Sequence, residues 1–232
     1  TGALRIRDEQ LEAFPREPDK IREHIAEYYA MITHLDAGLG RLLDHLEQTG
    51  QREHTLIVFA GDNGLAVGRH GLMGKQNLYD HSVRVPLVFA GPGIPAGERR
   101  EDFCFLSDIF PTLCEAAGLD GPASVTGRSL RPAWEGQPGN PREALYLAYC
   151  DTIRGVRTSR HKLIEYATES NGRATQMFDL QADPDETRNL AGTGDGKTRV
   201  AELRNRMAEL RETEGDLEHR HGQAFWGRVE DW

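Results

Sequence analysis

Two oxygen-bearing side chains stand next to each other after an apolar run. Asp62 and Asn63 follow residues 55–60 and are flanked by Gly61 and Gly64. An adjacent carboxylate and amide carbonyl present two hard oxygen ligands, which suit calcium or magnesium. The same four residues are also good turn chemistry, because Asp-Asn-Gly favours a tight turn. Taken alone, they are more simply explained as a turn.

Cationic and titratable side chains follow in a glycine-rich loop and just beyond it. Lys75, preceded by Gly74, could hold a tetrahedral anion as a point charge. His70 and His81 could each donate a hydrogen bond to an anion or titrate near neutral pH. Arg84 precedes a second apolar run, where an ion pair with a neighbouring carboxylate is the simplest expectation. Taken singly, the lysine and the histidines are more simply solvated surface residues.

The elements around these residues alternate between helix and strand. Apolar residues recur at three- and four-residue steps from about Lys20, which predicts a long amphipathic helix that ends near Gly50. The continuous apolar runs at 55–60 and 85–90 predict two strands buried on both faces. A further helix is predicted over residues 107–117.

That last helix is expected to be capped by Ser107 and stopped by Gly118. Helix, strand, loop, strand and helix in succession indicate an α/β sheet. In such sheets, ligands bind beyond the C-terminal ends of the strands. Asp62 and Asn63 occupy that position, so the predicted fold raises their weight as a site.

A change in composition near residues 136–142 predicts a subdomain boundary. We therefore assign residues 1–138 to the α/β domain and 139–232 to a smaller C-terminal subdomain. Four closely spaced strand-like runs then predict an antiparallel meander: 144–149, 155–158, 162–166 and 176–180.

The two arginines of the predicted meander, Arg154 and Arg157, are expected to face solvent. An amphipathic helix is predicted through Val200 and Leu210. The tail at 219–232 has no clear period.

Composition narrows the function classes. The chain has 232 residues and a net charge of −9, with 37 acidic against 28 basic residues, which argues against a nucleic-acid partner. It contains no apolar run of the ~18 residues needed to span a bilayer, and its first residues do not form a signal peptide. Its three cysteines form neither a disulfide framework nor a paired zinc motif.

Several motifs occur in an order that resembles the sulfatases of the alkaline-phosphatase-like superfamily. Gly61-Asp62-Asn63-Gly64, His70-Gly71, Gly74-Lys75 and the run YDHSVRVP at 79–86 are similar to the central block of that family. The flanking helices and the motifs at 162–164, 178–180 and 183–190 extend the resemblance over residues 28–190. The fold it implies is the C-terminal part of an alkaline-phosphatase-like α/β sheet sandwiched by helices, plus a small α+β subdomain with an antiparallel sheet.

The resemblance also implies a chemistry. Asp62 and Asn63 match calcium ligands, with Mg²⁺ or Mn²⁺ less favoured, and Lys75 matches a lysine that binds a sulfate oxygen and stabilises the leaving oxygen. His70 and Arg84 are expected to contact the substrate, a sulfated small molecule or glycan. In the family the nucleophile is a formylglycine made within a C/S-x-P/A-x-R signature. The chain has no such signature, so the nucleophile is expected upstream.

Two alternatives stay open. A phosphonate monoester or phosphodiester hydrolase of the same superfamily would often carry histidine where this chain has Asn63. A non-catalytic protein could retain the anion pocket and bind sulfated glycans. We expect the 232-residue chain alone to be inactive and poorly soluble, since apolar sheet edges would be unpaired. Relatives are often exported, which favours a periplasmic or secreted location.

Overall fold

The computed structural model describes residues 7–137, 142–169 and 172–229. Within these ranges no helix has the length and apolar character needed to cross a membrane. The helices are α1 (Pro18–Gln48), α2 (Asp80–Val83), α3 (Ile109–Ala116), α4 (Arg131–Trp134), α5 (Gly194–Thr213) and α6 (Arg220–Gly227). The strands are β1 (Ile57–Ala60), β2 (Leu87–Ala90), β3 (Ala144–Tyr149), β4 (Ile153–Thr158), β5 (His161–Thr168) and β6 (Gly172–Asp179).

The chain forms two compact units. The helical unit contains residues 15–62, 85–137 and Arg142, and the meander unit contains residues 7–14, 63–84, 143–169 and 172–229. The loop that carries Lys75 therefore groups with the C-terminal sheet. The domain boundary proposed at residue 138 falls in 138–141, outside the described residues, and stays a prediction.

The long helix of the helical unit is confirmed, but its apolar face is exposed. α1 spans 31 residues and none of them is buried. The two predicted strands are also confirmed, and they pair antiparallel with Ile57 opposite Ala90. Burial on both faces is wrong for this chain, since Val88 is 53% exposed. Among the described residues this sheet has only two strands, too few to form a stable buried sheet by themselves.

The start of α3 differs from the sequence expectation. Ser107 lies inside a short 3₁₀ turn, and no hydrogen bond from its side chain caps the helix. The neighbouring Asp108 organises this region instead. Its buried carboxylate accepts hydrogen bonds from the backbone of Phe105 and Arg128, both at 2.7 Å, and from the guanidinium of Arg142. One carboxylate satisfies three groups, which a serine hydroxyl could not do.

The predicted antiparallel meander is confirmed in the meander unit, with strand order β3-β4-β5-β6. Val156 on β4 pairs with Leu163 on β5, and Leu163 pairs in turn with Met177 on β6. These side chains form one core with Val200 and Met207 of the confirmed helix α5. The sheet is therefore covered on this face by a helix that follows it in the chain.

The tail at 219–232 contains a helix that its sequence pattern does not indicate. Helix α6 has eight residues and buries Phe225 and Trp226 in the same core. Two turns are too few for a period to stand out. Residues 230–232 lie outside the described part of the chain.

The prediction that Arg154 and Arg157 face solvent is wrong. Arg154 is 1% exposed and its guanidinium contacts Asp216 through Nε at 2.8 Å. Arg157 is mostly buried and donates two hydrogen bonds of 3.2 Å to Asp80. Both acceptors lie more than sixty residues away in the sequence, so the alternation within one hairpin could not reveal them.

Candidate functional site

Asp62 and Asn63 lie directly beyond the C-terminal end of β1. Asp62 is exposed and Asn63 is half-buried. The Asn63 Nδ2 atom donates a 3.0 Å hydrogen bond to the carbonyl of Gly64, which places its Oδ1 atom on the opposite side of the amide. A Cβ atom at Gly64 would lie 1.8 Å from the carbonyl oxygen of His81, so this position accepts glycine alone.

The donor set of Asp62 and Asn63 fits a hard cation. Both offer oxygen atoms, the ligand type that calcium and magnesium prefer. Calcium takes about six to eight oxygens, so two side chains could form part of a shell. The described residues contain no cluster of three or more His, Cys, Asp or Glu side chains suited to a metal.

Lys75 lies on a loop whose backbone is held while its side chain is exposed. The buried carboxylate of Glu9 accepts hydrogen bonds from the backbone N–H of Met73, at 2.9 and 3.1 Å, and of Gly74, at 2.8 Å. The N–H of Lys75 donates to the Gln76 side chain at 3.1 Å. The ammonium group is thus carried on a fixed backbone segment.

Sequence reasoning missed this role of the N-terminal acids, which are part of an irregular polar stretch in the sequence. Glu9 lies 64 residues from Met73, and its neighbour Asp8 contacts Gln76 across a separation of 68 residues. We see no local motif at Asp8 and Glu9 that would have indicated it. Only the folded chain brings them to the Lys75 loop.

His70, Tyr79 and His81 form a ring cluster. The His70 ring stacks on Tyr79 with centroids 4.0 Å apart and an angle of 5°. His81 lies 5.4 Å from His70 and 5.5 Å from Tyr79. His70 adopts a left-handed backbone conformation with φ of 55°, which is uncommon for a residue with a side chain and here accompanies the stacking.

Both histidines are disposed to be neutral. Partial desolvation of the His70 ring, which stacks on Tyr79, is the main cause that lowers its pKa, although the residue as a whole is exposed. Burial, together with the charges of His70, Arg69 and Lys162, lowers the pKa of His81 to about 4. His81 therefore does not titrate near neutral pH, although its residue type suggests that it could. Its Nε2 atom is buried and lacks a hydrogen-bond partner.

Arg84 stands at the C-terminal end of α2 with its side chain exposed. The expected ion pair with a neighbouring carboxylate is wrong, since none involves Arg84 in the described part of the protein. Nor does any hydrogen bond, ion pair or ring contact there join Arg84 or the Lys75 side chain to His70. Of His70, Lys75, His81 and Arg84, the ring contacts, hydrogen bonds and ion pairs within the described residues join only His70 with His81.

A buried charge network contacts the first residue of α2, Asp80. The Lys162 ammonium is fully buried and contacts the carboxylates of Asp80 and Glu186, the latter at 2.6 Å. It also donates to the carbonyl of Leu78 at 3.0 Å. Burial alone would raise the pKa of Asp80, but Lys162 and Arg157 hold it below its usual value. Burial raises the pKa of Glu186.

This network fixes the segment that carries Tyr79 and His81. Glu186 also accepts the backbone N–H of Asp80 at 2.6 Å, and it does so from a left-handed conformation with φ of 56°. Such a conformation costs about 1–3 kcal/mol, so the contacts around Glu186 must compensate for it. The meander thereby anchors the ring cluster through buried charges.

Two protein-family models match this chain. Residues 68–213 match the family model N-sulphoglucosamine sulphohydrolase, C-terminal, and residues 5–119 match the model Sulfatase. A curated relative, the N-acetylglucosamine-6-O-sulfatase of Bacteroides thetaiotaomicron, is 30% identical over 202 residues. That match covers 82% of this chain and 36% of the relative.

Solved structures agree with the sequence matches. A protein in complex with its substrate D-glucosamine-2-N,6-O-disulfate has a TM-score of 0.78 and 30% identity, covering 85% of this chain and 42% of that one. A phosphonate monoester hydrolase from Silicibacter pomeroyi has a TM-score of 0.77 and 28% identity, covering 86% and 43% respectively.

The sequence motifs predicted the C-terminal part of an alkaline-phosphatase-like fold, and these likenesses confirm that fold class. The chain spans well under half the length of the relatives it matches. One of the two family models covers more than half of the chain. The chain therefore belongs to the sulfatase family of the alkaline-phosphatase-like superfamily and matches its C-terminal portion.

Proposed function

We propose that this chain contributes part of the active site of a sulfuric ester hydrolase. The observation that carries the proposal is the position of the motif residues. Asp62 and Asn63 follow the end of β1, and Lys75 is exposed on a loop whose backbone is held by hydrogen bonds. These residues combine hard oxygen donors with a point cation, the groups that a sulfate ester requires.

Each residue has a defined role in this proposal. Asp62 and Asn63 would hold calcium through oxygen, and bound calcium supplies positive charge to the sulfate oxygens. The Lys75 ammonium binds a sulfate oxygen and stabilises the negative charge that develops on the leaving oxygen. His70 and Arg84 would contact the rest of the substrate. The nucleophile, a formylglycine, would be encoded upstream of this sequence in the same protein.

Lys75→Ala tests the proposal in the complete protein that contains this chain. We expect kcat/KM for an aryl sulfate to fall at least about 10²-fold, because loss of a charge-stabilising donor costs this much. Lys197→Ala, an exposed lysine of α5, is the matched control and should retain wild-type turnover. Unchanged turnover in Lys75→Ala would remove Lys75 from the site.

The metal role has a separate readout. We expect Asp62→Ala to weaken calcium binding measured by titration calorimetry, since one anionic ligand is lost. The outcome that contradicts the role is wild-type calcium affinity in this variant. Mg²⁺ and Mn²⁺ titrated in parallel would establish which cation the site prefers.

The substrate and the location are part of the proposal. A sulfated sugar is the substrate class we favour, because a matched structure was solved with a disulfated glucosamine. A periplasmic or secreted location is consistent with the family resemblance. The direct measurement is hydrolysis of sulfated mono- and disaccharides, detected as the inorganic sulfate that is released.

A second candidate is hydrolysis of phosphonate monoesters. The likeness to a phosphonate monoester hydrolase favours it, with a TM-score of 0.77. Asn63 favours the sulfatase, because an amide oxygen suits calcium whereas imidazole suits transition metals. Paired aryl sulfate and aryl phosphonate substrates distinguish the two activities, and a larger kcat/KM for the phosphonate would reverse our assignment.

A further inference from the structure

We propose that Glu9, supported by Asp8 and Gln76, is a positioning residue that sets the location of Lys75. The inference rests on the proposed function of Lys75 as a sulfate-binding cation. It adds to that function an N-terminal brace, which we define as the side chains of Asp8, Glu9 and Gln76. None of the three needs to touch the substrate.

The first half of the brace is the Glu9 carboxylate. Glu9 as a residue is 6% exposed, and its carboxylate accepts hydrogen bonds from two successive backbone N–H groups, those of Met73 and Gly74. Hydrogen bonds to an ionised carboxylate are roughly twice as strong as neutral ones. Glu9 therefore fixes the two residues immediately before Lys75.

The second half of the brace is Gln76, which acts on Lys75 itself. Its Oε1 atom accepts the Lys75 N–H at 3.1 Å, while its Nε2 atom donates to the Asp8 carboxylate at 2.6 Å. Three consecutive backbone N–H groups, at residues 73, 74 and 75, are thus all bound by side chains of the brace.

The close approach of the brace explains the glycine that precedes Lys75. A Cβ atom at Gly74 would lie 2.6 Å from the Gln76 Oε1 atom and 2.8 Å from the Asp8 Cβ atom. Any larger residue would push the brace away from the loop. The brace and Gly74 therefore form one packed unit around the Lys75 backbone.

A displacement of the Lys75 ammonium should cost turnover more than stability. A misplacement of about 1 Å can lower a rate as much as 10²-fold. Glu9→Gln keeps the shape of the side chain but replaces one acceptor oxygen by an NH₂ donor that faces a backbone N–H. We expect kcat for an aryl sulfate to fall about tenfold and inhibition by inorganic sulfate to weaken in parallel.

The experiment compares Glu9→Gln, Lys75→Ala and the double variant in the complete protein. Hydrogen exchange at the Met73 and Gly74 amides reports whether the brace has opened. The matched control is Glu165→Gln, which removes a buried carboxylate paired with Arg204 in the same unit. It should lower the midpoint of thermal unfolding and leave kcat unchanged.

The expected result is faster exchange and lower kcat in Glu9→Gln, with no further loss when it is combined with Lys75→Ala. Equal kcat in Glu9→Gln and the wild type overturns the positioning role. An additive loss in the double variant also overturns it, since Glu9 would then act independently of Lys75. If Glu9→Gln does not fold, Gln76→Ala tests the same brace with the same readouts.

Failure of the proposed function has a different signature. Lys75→Ala with wild-type turnover and wild-type sulfate inhibition would remove the lysine from the site, whatever Glu9→Gln does. Loss in Lys75→Ala without loss in Glu9→Gln rejects the brace alone.

Discussion

The meander unit and the helical unit differ in how far each encloses its own apolar side chains. In the meander unit, Val156, Met207 and Phe225 are fully buried in one core. In the helical unit, α1 runs for 31 residues without a buried one, and Leu42 is 60% exposed. The meander unit completes its core from its own elements, whereas the apolar face of α1 is patterned for burial that the described chain does not provide.

The charged groups of the meander unit and of α1 differ in the same way. The meander unit buries Arg154, Lys162 and Glu165, each against a partner of opposite charge. On α1 the ion pairs join exposed residues one turn apart, such as Lys20 with Glu23. Exposed pairs contribute about 0–1 kcal/mol, while removing one partner of a buried pair costs several. We therefore expect the meander unit to be far more sensitive to substitution than α1.

The largest effect is expected from Asp216→Ala in the meander unit. Asp216 accepts hydrogen bonds from Arg154, from the Tyr146 hydroxyl at 2.8 Å and from the Trp226 indole at 2.9 Å. Burial alone would raise the pKa of Asp216, but these donors hold it below its usual value. Its loss leaves the Arg154 guanidinium buried without its counter-charge, so the free energy of unfolding should fall by about 3–5 kcal/mol. Urea denaturation measures the change.

Glu202→Ala is the control for that experiment. Glu202 pairs with Arg199 on α5, where both side chains are about half exposed. We expect a change within about 1 kcal/mol. Similar losses in the two variants would contradict the contrast between buried and exposed charges.

A smaller effect is expected from the titration of His81. Its pKa is lowered from 6.5 to about 4, first by burial and then by His70, Arg69 and Lys162, with Asp80 opposing. In the unfolded chain, the His81 imidazole takes up a proton once the pH falls below about 6.5. In the folded chain, the same imidazole stays neutral until the pH falls to about 4. The contribution of neutral His81 to the free energy of unfolding is therefore fully present above about pH 6.5 and is lost as the pH falls towards 4.

We expect this loss to be on the order of 1–2 kcal/mol, after allowing for solvent screening of a part-buried ring. His81→Gln should flatten the pH dependence of unfolding between pH 6.5 and 4 by that amount. His34→Gln, an exposed histidine of α1, should leave the wild-type dependence in place. A His81→Gln variant with the wild-type slope would contradict the assignment.

Local sequence patterns predicted the helices and strands. Contacts between residues distant in the sequence determined the partners of buried charges and of the Lys75 loop. Periodicity was sufficient for α1 and for the four-strand meander, because each depends on neighbours in sequence. It was insufficient for Arg154, whose partner Asp216 is 62 residues away. The contacts of Glu9 with the Lys75 loop are equally non-local. The motif order indicated Asp62, Asn63 and Lys75 as a site, and their functional roles stay a prediction.

The smallest effect on stability is expected from Leu42→Gln on α1. Because Leu42 is 60% exposed, replacing it with a polar residue of similar length should change the free energy of unfolding by less than about 0.5 kcal/mol. The same change at Leu203 of α5, which is 5% exposed, places an amide in the meander core and should cost about 2–5 kcal/mol. Leu42→Gln should also lower the tendency of the chain to aggregate, since it interrupts an exposed apolar patch. Urea denaturation and light scattering measure the two quantities. A cost above 2 kcal/mol for Leu42→Gln would show that this face of α1 is already buried in solution, and that the contrast between the two units is smaller than the structure indicates.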